Sequence, residues 1–242
     1  MYNILENICS LKTLCFSLQC LSNFSVMEMN VLTIILFVIA YLLGSVSNAV
    51  WIGKLLYGID VREHGSKNAG STNTVRVLGW KAGIPVLLLD VFKGFAAVNL
   101  VLIYGYYVPG TNDFVNLQLA FGAFALVGHI FPVFYNFRGG KGVASLFGII
   151  LAIAPWPTLI TFGIFLITLL ITKYVSLSSM ISGITFPLLI MFVFPTTIQS
   201  LIIFSLIVSV LLLLTHQKNI ERLIRKEESK AHFLFRKRNQ QK

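Results

Sequence analysis

GHIFPVFYNFRGGKGVAS, residues 128–145, is where one apolar segment ends, a glycine-rich basic turn follows and another apolar segment begins. Gly139, Gly140 and Gly142 lack a Cβ, so the backbone is free to take positive φ and to present consecutive N–H groups, with the Lys141 ammonium among them. A helix starting near Val143 adds unpaired donors and a partial positive charge, and the set suits a phosphate. The spacing is not that of a Walker loop. GxxxxGK[ST] is absent and Gly142 stands where a hydroxyl should follow the lysine, so nucleotide hydrolysis is not implied. A plain cytoplasmic turn whose lysine obeys the positive-inside rule accounts for the same residues.

Outward from this turn the chain is apolar. Hydrophobic residues make up 56% of it and charged residues 12%, a balance far from the soluble average. In 242 residues there is room for about seven spans of about 20 residues each, and none for a separate soluble domain. The formal charge of +10 does not point to nucleic acid, because the basic residues fall in short gaps between apolar runs and in the tail. The expected fold is therefore all-α, a polytopic membrane helix bundle.

The first span is VLTIILFVIAYLLGSVSNAVWIGKLL, residues 31–56, in which Gly44, Ser45, Ser47 and Asn48 are small or polar enough to let helices approach or to face a cavity. Residues 57–80 read as one long polar loop. Spans at about 82–104 and 114–135 follow, and Pro155, Pro157, Lys173 and Pro195 divide residues 143–215 into about four segments. Lys54, Arg62, Lys67, Arg76 and Lys81 lie in or beside the first loop, Arg138 and Lys141 in the central turn, Lys173 in a later gap, and nine more basic residues after Thr215. Those regions belong on one side of the membrane. The other side has no Lys or Arg apart from Lys12 in the leader, which places the N-terminus outside, the C-terminus in the cytoplasm and the number of crossings at an odd value.

Residues 1–28 differ from the rest: they hold Cys9, Cys15 and Cys20 but no clean apolar run of spanning length. Their n-region is not basic and no small-residue cleavage site stands out, which argues against a signal peptide. The expectation is that translation starts at Met27 or Met29, which N-terminal sequencing of the native protein checks. The membrane domain then covers 29–228 and a basic cytoplasmic tail 229–242. The odd cysteine count and its spacings imply neither disulfide nor zinc site.

The first cytoplasmic loop, GIDVREHGSKNAGSTNTVRVLGW, is dense in hydrogen-bonding side chains. Ser66, Asn68, Ser71, Thr72 and Asn73 offer neutral donors and acceptors, and Arg62 and Arg76 planar forks suited to phosphate. A loop folded on itself through Asx turns and caps is the alternative. Asp90 and Lys93 sit three apart on one helix face inside the second span, as a structural ion pair or as groups facing a site. His129 stands at the membrane face of the central turn. His216 opens HQKNIERL, a short basic helix at the membrane interface in which His216 and Asn219 share a face.

Three cytoplasmic segments, DVREHGSKNAGSTNTVR, GHIFPVFYNFRGGKGVAS and HQKNIERL with Glu228 downstream, together resemble the three motifs of the bacterial acyl-phosphate:glycerol-3-phosphate acyltransferase family. They come in the right order, on the predicted cytoplasmic side, and span the chain from Asn30 to about Glu228. The sequence departs from the family's pattern at Lys67, Ala69, Ser71, Ser145 and Lys226. The resemblance implies acyl transfer from a fatty acyl phosphate to the 1-hydroxyl of glycerol 3-phosphate, giving lysophosphatidic acid and phosphate. It implies a catalytic set of Ser66, Arg76, Lys141, His216 and Asn219. The substrate-binding set it implies is Ser45, Arg62, Asn68, Thr72, Asn73, Lys93, His129, Gly139, Gly140 and Gly142. It implies no cofactor and no nucleic acid; the expected partners are the two substrates, membrane lipid and a soluble enzyme that makes the donor. An acyl phosphate is already activated, so orientation and charge stabilisation suffice without a covalent nucleophile. That fits a chain without a GxSxG elbow or a cysteine in the motifs. The rival reading is a small-anion transporter or channel lined by Asp90, Lys93 and the glycines, against which stand the absence of an inverted repeat and the clustering of polar motifs on one membrane face.

Overall fold

A computed structural model of the protein describes residues 30–231. The leader, its cysteines and tail residues 232–242 lie outside the described residues. The chain divides at Ile34 into two units. Of the first, Asn30 to Ile34 are described, and there the Asn30 side chain accepts from the Thr33 backbone N–H and hydroxyl at 2.9 Å each, which caps a helix start.

The described residues form helices and turns only. In chain order they are α1 (Val31–Ser45), α2 (Asn48–Tyr57), α3 (Ser71–Leu78), α4 (Trp80–Val98), α5 (Val101–Tyr104), α6 (Asn112–Ile130), α7 (Val143–Ile153), α8 (Pro155–Thr172), α9 (Val175–Leu188), α10 (Gln199–Thr215) and α11 (Gln217–Ile224). Four segments are long and apolar enough to cross a membrane: Trp80–Tyr104, Asn112–Tyr135, Pro155–Thr172 and Val175–Val193. There are six if the bent pairs α1–α2 and α10–α11 each count as one span. The protein is a multi-span, all-helical membrane protein. The remaining apolar helix, α7, has 11 residues and so a length of about 16 Å, about half the hydrocarbon thickness.

Two expectations are corrected here. The first span is not one helix but two, bent by 50° at Val46 and Ser47. The loop 57–80 is not irregular throughout, since it contains a 3₁₀ turn at Val61–Glu63 and the helix α3. The predicted four segments between 143 and 215 do form. Pro155 divides the first two because it has no N–H and holds Ala154 out of the α region, at φ −137° and ψ 74°.

α4 is the central helix, packed against α2, α3, α6 and α7. Its contacts are made at glycines where two backbones meet. A Cβ on Gly94 would lie 2.1 Å from the Ser145 carbonyl oxygen on α7, and a Cβ on Gly148 of α7 would lie 2.0 Å from that of Val91. The same device joins α1 to α6, where a Cβ on Gly44 would meet the Ala125 carbonyl oxygen at 2.0 Å. In a membrane, apolar area gives helices no reason to prefer one another over lipid, and close backbone approach through small residues supplies the packing energy. Gly94→Ala should therefore lower stability by about 1–3 kcal/mol or more, seen as a lower melting temperature or a loss of folded protein in detergent. Gly163→Ala on α8, with nothing within 4 Å of the new methyl, should be tolerated.

Candidate active site

The three polar motifs converge at one end of the bundle. The first contact is made by Arg62, whose guanidinium donates through Nε and NH2 to the two oxygens of Asp60, at 3.0 and 2.7 Å, and through NH1 to the carbonyls of Tyr135 and Arg138, at 3.1 and 3.3 Å. The Arg62 side chain holds the Asp60 carboxyl well below the usual carboxylate range, and Lys54 adds a second cation at 3.1 Å. Arg62 thus fastens the first loop to the central turn. Four of its five N–H donors are directed at the protein, so the contacts it makes in this structure are structural.

Asn73 likewise makes its contacts within the protein. It is 2% exposed; its amide donates to the carbonyls of Val61, His64 and Asn68, and its oxygen accepts from the Ser66 N–H at 2.8 Å. It knits the first loop together, as the alternative of a self-folded loop anticipated. Ser66 is exposed, Asn68 and Thr72 are half-buried, and the Ala69 carbonyl lies against Gly140.

The glycine-rich turn is built differently from expectation. Of its three glycines only Gly142 takes a positive φ, 82°, while Asn136 and Phe137 just before them do so at 53° and 56°. The N–H groups of Gly139 and Gly140 are not presented to a ligand but donate to the carbonyls of Ile130 and His129, at 3.1 and 3.2 Å. These two positions are glycine because of contact. A Cβ on Gly139 would sit 2.0 Å from the His129 carbonyl oxygen, and one on Gly140 would sit 2.4 Å from His129 Nε2 and 2.8 Å from the Ala69 oxygen. The donors left for an anion are the Lys141 ammonium and the amides of the first turn of α7, which have no carbonyl within their helix.

His129 lies beneath this turn rather than in it. It is buried, with Nδ1 3.0 Å from the Ser145 hydroxyl. Lys93 is also removed from the turn's surface: its ammonium bonds the carbonyls of Gly44 and Val46 at 3.0 and 2.7 Å and pairs with Asp90 at 3.1 Å. Its three hydrogens are thereby used, and the expected contact with substrate gives way to a structural one. Ser45 is fully buried, its backbone N–H beside Gly128 on α6.

The third motif closes on Lys141. Its ammonium donates to Asn219 Oδ1, and Asn219 Nδ2 donates to Glu228 Oε1 at 2.7 Å. Glu228 also accepts from Ser176 at 2.8 Å and from Arg222 Nε at 2.7 Å. Burial works to raise the Glu228 carboxyl, but the bonds from Arg222, Asn219 and Ser176 outweigh it and hold it below its ordinary value. Arg76 lies near enough to interact with the charges of both Glu228 and Lys141, and burial lowers its pKa. His216 is buried and its Nδ1 stands 2.8 Å from the Leu212 carbonyl, an acceptor, so this nitrogen carries the proton and Nε2 is left as the acceptor. Asn219, Arg76 and Lys141 thus come together from segments far apart in sequence.

Glu228 had no assigned role from sequence, Arg222 read only as part of a basic interfacial helix, and Ser176 gave no signal. The tail's return is what recruits them, with the Ala231 N–H donating to the Lys173 carbonyl at 2.7 Å. That bond brings the Lys173 gap and the tail together, and the Lys141–Asn219 and Arg62–Arg138 contacts join them to the other two motifs.

The fold and this polar end define an integral membrane protein with a cluster of basic and polar side chains at one end of its helices. Residues 34–226 match the family model described as glycerol-3-phosphate acyltransferase. The chain is 40% identical over 222 residues to the glycerol-3-phosphate acyltransferase of Chlorobium phaeobacteroides, covering 81% of this chain and 94% of that one. It is 41% identical over 220 residues to that of Chlorobaculum tepidum, covering 81% and 95%. Among solved structures it is similar to PlsY (YgiH), an integral membrane glycerol 3-phosphate acyltransferase, in its glycerol 3-phosphate form. The TM-score is 0.74 and the identity 33%, over 84% of this chain and 99% of that one. The lysophosphatidic acid form of PlsY superposes with a TM-score of 0.72. The chain belongs to the glycerol-3-phosphate acyltransferase family, and it is an acyltransferase.

Burial pushes the Lys141 ammonium down to about 8. A phosphate contact requires the charged form, which is complete well below that value and lost as pH rises through it. The alkaline limb of kcat/KM should fall with a midpoint near pH 8, and Lys141→Arg, which stays charged, should lose that limb while lowering the plateau. A pH–rate profile of purified protein measures both.

Proposed function

We propose that this acyltransferase takes its acyl group from acyl phosphate and gives it to the 1-hydroxyl of glycerol 3-phosphate, forming lysophosphatidic acid and inorganic phosphate. The observation that carries this is the joining of Arg76, Lys141, Asn219 and Glu228 at one end of the bundle, a cationic pocket beside the lipid phase built from all three motifs. Both substrates carry phosphate and the donor carries a lipid tail, so each half of the site has a partner. The relation to PlsY, solved with glycerol 3-phosphate and as a lysophosphatidic acid form, supports the same acceptor and product.

In this reading the acceptor hydroxyl attacks the acyl carbonyl carbon, the carbonyl reforms, the carbon–oxygen bond to phosphate breaks and the hydroxyl proton ends on the departing phosphate. Lys141 and Arg76 offset the negative charge of the phosphates and of the tetrahedral intermediate. Asn219, turned by Glu228 so that its oxygen faces Lys141, holds that ammonium in place. His216 Nε2 and the exposed Ser66 are available to orient hydroxyls, while Asn68, Thr72 and the first turn of α7 line the remaining polar surface.

The membrane placement we propose has the N-terminus outside, the active end in the cytoplasm and seven crossings of the inner membrane, α7 being the short one. The alternation of basic and neutral ends along the chain supports this. A soluble enzyme that makes acyl phosphate would then deliver it to the same face. The transporter reading loses its main support in the broken first span. In discontinuous transporter helices, unwound carbonyls coordinate a cation, whereas here the tethered ammonium of Lys93 fills that position.

The deciding assay supplies purified protein with acyl phosphate and glycerol 3-phosphate and looks for lysophosphatidate, with acyl-CoA as the control donor; product from acyl-CoA alone overturns the donor assignment. Lys141→Ala removes a charge-assisted contact of about 1.5–3 kcal/mol, so kcat/KM should fall at least about tenfold. Unchanged kinetics in folded protein would take Lys141 out of the site. Arg76→Ala and Asn219→Ala should be non-additive, because either loss misplaces one substrate; strict additivity in kcat/KM would mean that they serve separate functions.

A further inference from the structure

Asp90 and Lys93 lie outside the three motifs, yet their contacts reach two places that matter. Toward α1 and α2, Lys93 bonds the carbonyls of Gly44 and Val46, and the Asn48 amide at the start of α2 donates to Asp90 Oδ1 at 2.9 Å. Toward the glycine turn, the same Asp90 oxygen lies 4.0 Å from His129 Nδ1, which the Ser145 hydroxyl meets at 3.0 Å. The other edge of that imidazole is the floor of the turn, since Nε2 faces Gly140. Gly94, the residue after Lys93, touches the Ser145 backbone. Asp90, Lys93, His129, Ser145 and Asn48 are all at least nine-tenths buried, in the order 2, 5, 6, 0 and 8% exposed.

An ionisable pair is costly inside a membrane protein, and helices are joined more cheaply by backbone contact of the kind made at Gly44 and Gly148. A charge pair is retained where orientation matters. We infer that Asp90 and Lys93 are positioning residues for the glycine turn: they lock the break of the first span onto α4 and, through His129 and Ser145, set the height and tilt of the surface on which Gly140 rests. They touch no substrate. Their effect is on how well residues 139–142 fit a phosphate group, and the inference rests on the reading of that turn as part of the site.

The test uses full-length protein and the KM values of both substrates. Gly140→Ala, which presses a methyl group onto His129, identifies the substrate served by the turn as the one whose KM rises. Asp90→Asn, isosteric and uncharged, should raise that same KM by at least about tenfold with kcat changed less than about threefold, together with a lower melting temperature, because the buried Lys93 loses its counter-charge. Combined with Gly140→Ala it should raise KM by less than the product of the two single effects. Asn48→Ala, which removes only the amide that orients Asp90, should move the same KM in the same direction by a smaller factor and serves if Asp90→Asn does not accumulate. A lowered melting temperature with normal KM values in these variants, or multiplicative effects in the double variant, overturns the positioning role. If Gly140→Ala itself leaves both KM values unchanged, the turn is not a phosphate site and the inference falls with that reading. If Gly140→Ala raises a KM that Asp90→Asn leaves alone, only the inference falls.

Discussion

The Lys93 ammonium meets two backbone carbonyls that the break after Ser45 removes from helical pairing. In hydrocarbon an unpaired carbonyl has no water to turn to, so a broken span is stable only where something polar is brought to the break. Lys93 brings three hydrogens on a flexible stem, and Asp90 balances its charge while holding Asn48 at the start of the next half-helix. From that point α2 departs at 50° and delivers Asp60 and Arg62 toward the central turn. Without the bend the first loop would emerge elsewhere, and the Arg62 contacts to Tyr135 and Arg138 could not form.

A second constraint sets how finely this arrangement is held. Gly44, Gly94, Gly128 and Gly148 each bring one helix backbone into contact with another, leaving no space for a methyl group. Packing of this kind has little slack. It fixes α7 against α4, and α7 begins immediately after the turn that carries Lys141. The polar end of the bundle then needs only short side-chain links to be complete: Lys141 to Asn219, Asn219 to Glu228, and Glu228 to Ser176 and Arg222. The tail's bond to the Lys173 carbonyl keeps Glu228 in register with Asn219.

Composition, span lengths and the spacing of basic residues determined the class of the protein, because a bilayer penalises charge and unpaired backbone so strongly that the pattern is written in one dimension. The helix start at Val143, the division at Pro155 and the grouping of the three motifs were legible for that reason. The roles within the motifs were not. Arg62 and Asn73 read as ligand-binding residues, but whether a guanidinium or an amide faces a ligand or its own backbone depends on which carbonyls the loop brings near, and those come from residues up to 76 positions away. The glycines of the turn read as a set of positive-φ positions, yet two of the three are glycine because His129 and Ala69 crowd them. Lys93 read either as half of a structural ion pair with Asp90 or as a site residue; the pair forms, but nothing in a helical run of VLTIILFVIAYLLGSVSNAVW announces that its backbone will break and need that cation. Glu228 acquired a place only when the tail folded back on Asn219 and Ser176. Side-chain type and local period are properties of the chain, whereas the partner of a polar group is a property of distance in space, and that was decided by the packing of the helices alone.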